Sequence, residues 1–357
     1  ASFDIVITFP ITAALAGFFI FDQSSNGRAR YAGLFLFYFF IGVALLAKGL
    51  IGIVFPFAIV IFYYLLSRRI PRRDFLISLI WGSILAAAVA AIWYVPMYRV
   101  NGYAFIQEFF IEHHFQRYTS NKYFHPQPFY FFLWVLPLMT IPWLPFFAAA
   151  IWKQIRGVRT NQPGELVATS TDFRVFAFAW LAVPLVFFSF SGSKLPGYIL
   201  PSLPAALMLT ADFVFGFVRG DRRRSRLIYG LAMATFAVVM IAAIFAAPRF
   251  ADSDSVRSLI AAADARGHAG ETVINMHSVS HNAEYYAPGR LMRTPDGKLA
   301  KLLGPSPVRD EIDREGDRSV LVLIPLEYVK QLTDADYLKS EVIADNGETA
   351  IVAVSAK

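Results

Sequence analysis

Cysteine is absent from the 357-residue chain, which removes disulfide scaffolds, thiolate metal sites and cysteine nucleophiles and leaves the redox compartment undecided. Charge is scarce as well: 17% of residues are Asp, Glu, Lys or Arg, against 56% that are apolar. An ordinary soluble domain carries about 25% charged residues, so this chain lacks the polar surface that would keep it in water. Acidic groups are the rarer sign, 26 against 33 basic residues, for a net charge of +7. In a soluble chain that excess would suggest nucleic acid. Here the arginines fall in short clusters between apolar runs, where they read as topology signals, and nucleic acid is dropped as a partner.

What the chain has in abundance is apolar runs of membrane length. A hydrocarbon core about 30 Å thick requires roughly 17 to 25 residues of helix at 1.5 Å each. Eight runs qualify, at approximately 5–21, 31–47, 49–66, 75–95, 128–152, 173–190, 197–218 and 227–247. Pro10, Pro56, Pro137, Pro142, Pro145, Pro184, Pro201 and Pro204 lie inside them. Bilayer helices tolerate proline where neighbours satisfy the freed carbonyls, so kinks are expected. If the spans alternate, Arg28, Arg68, Lys153, Arg222 and their basic neighbours, 15 residues in all, share one face. The other face has only Lys48, Arg99, Arg117, Lys122 and Lys194 in its short loops. Basic loops stay in the cytoplasm, which makes the second face external. The chain opens on Ala1 and enters an apolar segment almost at once; a missing front portion is expected.

After Ala247 the composition changes to a charged, alternating pattern. Strands are expected at 272–275, 320–324, 341–344 and 350–354, and amphipathic helices at 255–266 and 325–332. The expected architecture is an all-α polytopic membrane bundle of about eight visible transmembrane helices (1–247) followed by a small α/β extracytoplasmic domain (248–357). That domain contains no glycine-rich phosphate loop, metal-ligand spacing or nucleophile elbow, so it reads as an appended structural cap.

On the external face the ionisable residues form two constellations. The loop 97–127 is long for a connector, and its segment 105–118 (FIQEFFIEHHFQRY) mixes aromatics and charges at helical spacing. On such a helix His113 and Arg117 share a face, whereas His113 and His114 point apart, which argues against a two-histidine chelate. The second constellation is 189–201 (SFSGSKLPGYILP), where Pro196 and Gly197 break the helix beside Lys194, with Tyr198 one turn on. Unwound backbone beside a lysine suits an anion, since amides and ammonium both stabilise negative oxygen. Each residue also has a plainer reading. Arg117, Lys194 and Lys48 can snorkel to head groups, Tyr198 can belong to an aromatic belt, His113 can be a hydrogen-bonded interfacial side chain, and Asp4 can be a solvated helix-end carboxylate.

Four stretches resemble the GT-C-fold, polyprenyl-phosphate-sugar-dependent glycosyltransferases, in particular the branch holding the aminoarabinose transferase of lipid A and the bacterial relatives of protein O-mannosyltransferases. Segment 2–9 (SFDIVITF) resembles the family's second acidic site, and 46–56 (LAKGLIGIVFP) its lysine-glycine turn. Segment 109–118 resembles its external loop, with His113 and Arg117 in place, and 187–201 its serine-lysine-leucine-proline signature, with Lys194 and Tyr198. The family's principal acidic motif has no counterpart in this sequence, which leads to the expectation that the isolated chain is inactive.

The resemblance implies an inverting transfer of a sugar from a polyprenyl phosphate to a lipid, protein or glycan acceptor, at the periplasmic face of a bacterial inner membrane. It implies Asp4 as the remaining catalytic acidic residue. Arg117, Lys194, Tyr198, His113 and Lys48 would bind the donor phosphate, with His113 either a donor or a metal ligand. A divalent metal is left open. Two other classes compete: a lipid or sugar transporter, which would place its polar groups near the midplane and show internal repeats, and a non-catalytic scaffold, in which the external cations would be replaceable.

Overall fold

The computed structural model describes residues 4–107, 127–159, 168–316 and 318–357. It divides into two compact units, Ala1–Leu231 and Ala232–Lys357.

The first unit is helical. It contains α1 (Asp4–Gln23), α2 (Gly27–Lys48), α3 (Ile51–Ser67), α4 (Arg73–Ile106), α5 (Phe131–Leu138), α6 (Leu144–Arg159), α7 (Ala168–Ser189), a 3-10 turn (Pro196–Ser202) and α8 (Leu203–Val218). Helix α9 (Arg222–Ile241) begins in this unit and continues beyond it. Among the described residues six helical stretches are long and apolar enough to cross a membrane: Asp4–Gln23, Gly27–Lys48, Arg73–Ile106, Asp172–Ser189, Pro196–Val218 and Arg222–Asp252. Helix α3 is equally apolar but has 17 residues. On α4 the side chains of Ile77, Ile80 and Ile84 are all exposed. A stripe of that kind is costly in water and costs nothing against lipid.

One expected span takes a different form. The run 128–152 is not a continuous helix: α5 ends at Leu138, and a turn closed by Trp143 N–H donating to the Thr140 carbonyl at 2.6 Å leads into α6. Pro137, Pro142 and Pro145 remove three backbone donors within nine residues, more than one helix can lose without breaking. Of the other prolines, Pro10, Pro56 and Pro184 lie inside helices, while Pro204 stands in the first turn of α8.

Aromatic side chains fill the interior. Phe18, Phe21, Phe37, Phe55, Tyr38, Tyr63, Phe176 and Trp180 are fully buried, and the Phe18 ring lies within 5.5–6.1 Å of Phe37, Tyr63, Phe75 and Phe176. Small residues let the backbones approach. A Cβ on Gly33 would lie 2.6 Å from the Gly17 carbonyl oxygen, and one on Gly17 would lie 2.8 Å from that of Gly33, so α1 and α2 touch through backbone, as small residues at membrane helix interfaces allow.

The second unit is a mixed α/β fold. Its sheet has five strands in the order β2-β1-β3-β5-β4: β1 (Val273–Met276), β2 (Lys301–Leu302), β3 (Val320–Pro325), β4 (Leu338–Asp345) and β5 (Thr349–Ala356). Strands β2, β1 and β3 run parallel, while β3, β5 and β4 pair antiparallel. Alternate residues of β3 enter two cores. Leu321 and Leu323 pack with Leu259 and Ile260 of α10 (Arg257–Ala263), and Val320, Val322 and Ile324 pack with Val308 and Ile312 of α11 (Pro305–Arg314). All four expected strands occur within a few residues of their expected bounds. The two-residue β2 and helix α11 were not anticipated, because β2 is too short to alternate and Pro305 and Pro307 disguise the start of α11.

Replacing Gly33 by leucine should separate α1 from α2 and cost about 1–3 kcal/mol, the usual range for overpacking. Gly27→Ala, where an added Cβ meets nothing within 4 Å, should leave stability within about 0.5 kcal/mol. Thermal unfolding of the detergent-solubilised protein reads both.

Candidate functional site

Three elements distant in sequence meet at one end of the helical unit. Asp4 opens the first turn of α1, Lys48 closes α2, and Tyr198 lies in the 3-10 turn that precedes α8. Gly49 ends α2 with φ 63°, a conformation that glycine adopts without steric cost. Its N–H donates to the Leu45 carbonyl at 2.8 Å, and the sharp stop holds Lys48 at the rim. The Lys48 ammonium donates to the Asp4 carboxylate, and its Nζ also sits 4.9 Å from the centroid of the Tyr198 ring. Asp4 is buried, so it is not the solvated helix-end carboxylate of the plainer reading. Tyr198 is buried too, its ring tilted against Phe188 at 5.5 Å.

Lys194 stands four residues before Tyr198 in an irregular stretch between α7 and the 3-10 turn. It is 6% exposed. Its ammonium donates to the carbonyl of Ser191 at 2.6 Å and to that of Gln127 at 3.0 Å. Burial pushes the Lys194 ammonium pKa below its ordinary value, because a charge in a low-dielectric surrounding loses hydration that neutral carbonyls only partly replace. The stretch is tied to the bundle: Trp180 Nε1–H donates to the Pro201 carbonyl at 2.7 Å, and Ser202 Oγ donates to that of Leu181 at 3.2 Å.

The structure thus brings Lys48 into contact with both Asp4 and Tyr198 and places Lys194 on the same segment as Tyr198. His113 and Arg117 lie outside the described residues. Two features escaped the sequence reading. The Tyr94 hydroxyl donates at 2.6 Å to the Leu45 carbonyl, the group that also accepts from Gly49, and so buttresses the end of α2 that carries Lys48. The Ser193 hydroxyl, beside Lys194, is buried without a hydrogen-bond partner among the described residues. A tyrosine near the end of an apolar run reads only as an interfacial residue, so nothing in the sequence distinguishes Tyr94.

A second buried polar cluster is built around Asp22, at the far end of α1. Its carboxylate accepts from the Tyr63 hydroxyl at 2.8 Å and the Tyr64 hydroxyl at 3.3 Å, and Arg69 lies 3.5 Å away. Arg69 also pairs with Asp172 at 3.2 Å. The cluster ties α1 to α3 and α7. Among the described residues no three His, Asp or Glu side chains converge as a metal site.

No family model matches the chain. It is 30% identical over 224 residues to the undecaprenyl phosphate-alpha-4-amino-4-deoxy-L-arabinose arabinosyl transferase of Aeromonas salmonicida, a match covering 62% of this chain and 39% of that protein. It is 28% identical over 225 residues to the enzyme of the same name from Aeromonas hydrophila, covering 62% and 38%. The chain therefore spans about two fifths of the length of these curated relatives. Among solved structures, ArnT from Cupriavidus metallidurans bound to undecaprenyl phosphate superposes with a TM-score of 0.71 at 18% identity, covering 99% of this chain and 74% of that one. The same protein in the apo state gives 0.67 at 17% identity. The chain has the ArnT fold, and in sequence it is a homologue of the aminoarabinose transferases.

Two outcomes follow from the local electrostatics. Lys48→Met removes a cation from beside the Asp4 carboxylate and should destabilise the protein by about 1–3 kcal/mol, while adding Asp4→Asn should recover about 1 kcal/mol of that loss; a double-mutant cycle in thermal unfolding measures the coupling. Because the fold lowers the Lys194 pKa below 10.5, the unfolded chain binds more protons in the window just below that pH. Unfolding free energy should therefore gain a positive slope with pH there, and Lys194→Met should remove this contribution in a comparison of thermal midpoints between pH 8 and pH 10.5.

Proposed function

We propose that the rim carrying Asp4, Lys48, Lys194 and Tyr198 holds the phosphate of a polyprenyl-phosphate-linked sugar, and that the chain is the donor-binding part of an inverting membrane glycosyltransferase. The observation that carries the reading is the convergence of a carboxylate, an ammonium and a phenol from α1, α2 and the 3-10 turn on one end of an ArnT-like bundle. The names of the homologues point to 4-amino-4-deoxy-L-arabinose on undecaprenyl phosphate as the donor. A hydroxyl of a lipid, protein or glycan is the acceptor.

In this reading the acceptor oxygen attacks the anomeric carbon, and the bond from that carbon to the phosphate oxygen breaks. The electron pair leaves with the polyprenyl phosphate, and the acceptor proton passes to a base. Negative charge grows on the departing phosphate, which is where preorganised cations lower the barrier. Lys48 and Lys194, joined by Arg117, neutralise that charge. Tyr198 and His113 supply hydrogen bonds, and Asp4 is the acidic group that orients Lys48. Lys194 trades two neutral carbonyls for an anionic oxygen when phosphate binds, so the exchange offsets the cost of its burial.

We also propose eight crossings, with α3 and the α5–α6 pair as the additional two, arginine-rich loops in the cytoplasm of a bacterial cell, and residues 248–357 in the periplasm.

Purified protein should bind undecaprenyl phosphate, and undecaprenol, which lacks the phosphate, should not compete. Lys48→Ala and Lys194→Ala should each weaken binding at least about tenfold, the loss of one charge-assisted hydrogen bond. Equal affinity for undecaprenol, or variants that bind as the unmodified chain does, would overturn the assignment.

A further inference from the structure

The opposite end of α7 carries a cleft that the transfer chemistry does not use. It is about 120 Å³ in volume and opens between α6, α7 and α8. Its floor is apolar, from Ala150, Leu209 and Phe213, and its wall is polar, from Lys153, Gln154 and the Arg174–Asp212 pair. Arg174 grips Asp212 with two hydrogen bonds, at 2.8 and 3.3 Å, so that pair contributes no net charge. Lys153 makes no ion pair among the described residues, which leaves the cleft with one uncompensated positive charge. On the same helix the Arg156 guanidinium lies 4.6 Å from the centroid of the Trp152 ring, a tryptophan-arginine pairing typical of head-group depth. From Arg174 to Ser189, at the other end of α7, the helix rises roughly 22 Å at 1.5 Å per residue, so this cleft is remote from Lys194.

We infer that the cleft binds the head group of an anionic phospholipid. Lys153 meets the phosphate, Gln154 hydrogen-bonds it, and the lipid chains continue along the apolar surface of α6 and α8. Charge complementarity chooses this occupant, since a single unpaired lysine at a cleft with an apolar floor suits an anionic amphiphile better than a zwitterionic one. The ion pair beside it holds α7 against α8, so the lipid docks on a wall already fixed.

The test uses the purified full chain in a neutral detergent, titrated with phosphatidylglycerol, phosphatidylcholine or inorganic phosphate. Native mass spectrometry counts retained lipid, and the thermal midpoint reports protection. Phosphatidylglycerol should be retained about fivefold over phosphatidylcholine, the factor expected for one lysine at a lipid surface. Lys153→Gln should abolish that preference, and Gln154→Trp, which blocks the mouth without changing charge, should reduce occupancy by both lipids. Arg222→Gln, at the start of α9, should change neither. Equal retention of the two lipids, a preference that survives Lys153→Gln, or equal protection by inorganic phosphate alone would each overturn the inference.

Discussion

A charge inside a bundle of apolar helices is tolerated only beside its opposite, and that constraint shapes the helical unit. Each of its described carboxylates has a basic partner: Asp4 with Lys48, Asp22 and Asp172 with Arg69, Asp74 with Arg30, Asp212 with Arg174 and Asp221 with Arg224. All but the last join different elements. Such pairs add little net stability, because desolvation consumes most of the Coulombic gain, but leaving one member alone is expensive. Their effect is on neighbour choice: a helix docked against the wrong partner would strand a carboxylate. The aromatic core is less demanding, since rings of similar size pack in many ways.

At the rim the same constraint is met in two different ways. Lys48 has a carboxylate and an aromatic face, while the Lys194 contacts described above are two neutral carbonyls. A lysine already beside a carboxylate gains part of the available energy on meeting an anion. One held by carbonyls gains more, and burial has already removed much of its water. The two ammonium groups thus differ in how far their charge is already compensated within the fold.

Apolar composition alone made the bundle legible, because the length of hydrocarbon to be crossed is fixed and the runs matched it. The strands of the second unit were legible from alternation, apart from β2. In the run 128–152 the prolines announce a kink, and the structure goes further, breaking the run into two helices joined by a turn. For the site, Asp4, Lys48, Lys194 and Tyr198 were each visible as residues in odd places, but the pairing of Asp4 with Lys48 spans 44 positions and belongs to tertiary structure. Tyr94 was invisible for the same reason: its importance lies in a carbonyl one helix away.

The backbone contact between Gly17 and Gly33 has a mechanical corollary. Two helices that touch without side chains between them can neither roll nor slide past each other without collision, so α1 and α2 behave as a stiff plank along which Asp4 and Lys48 keep their alignment. The split span of α5 and α6 is the opposite case, two short rods joined by a five-residue turn from Met139 to Trp143. A bundle with one rigid helix pair and one jointed pair has a preferred direction of yield, at the joint.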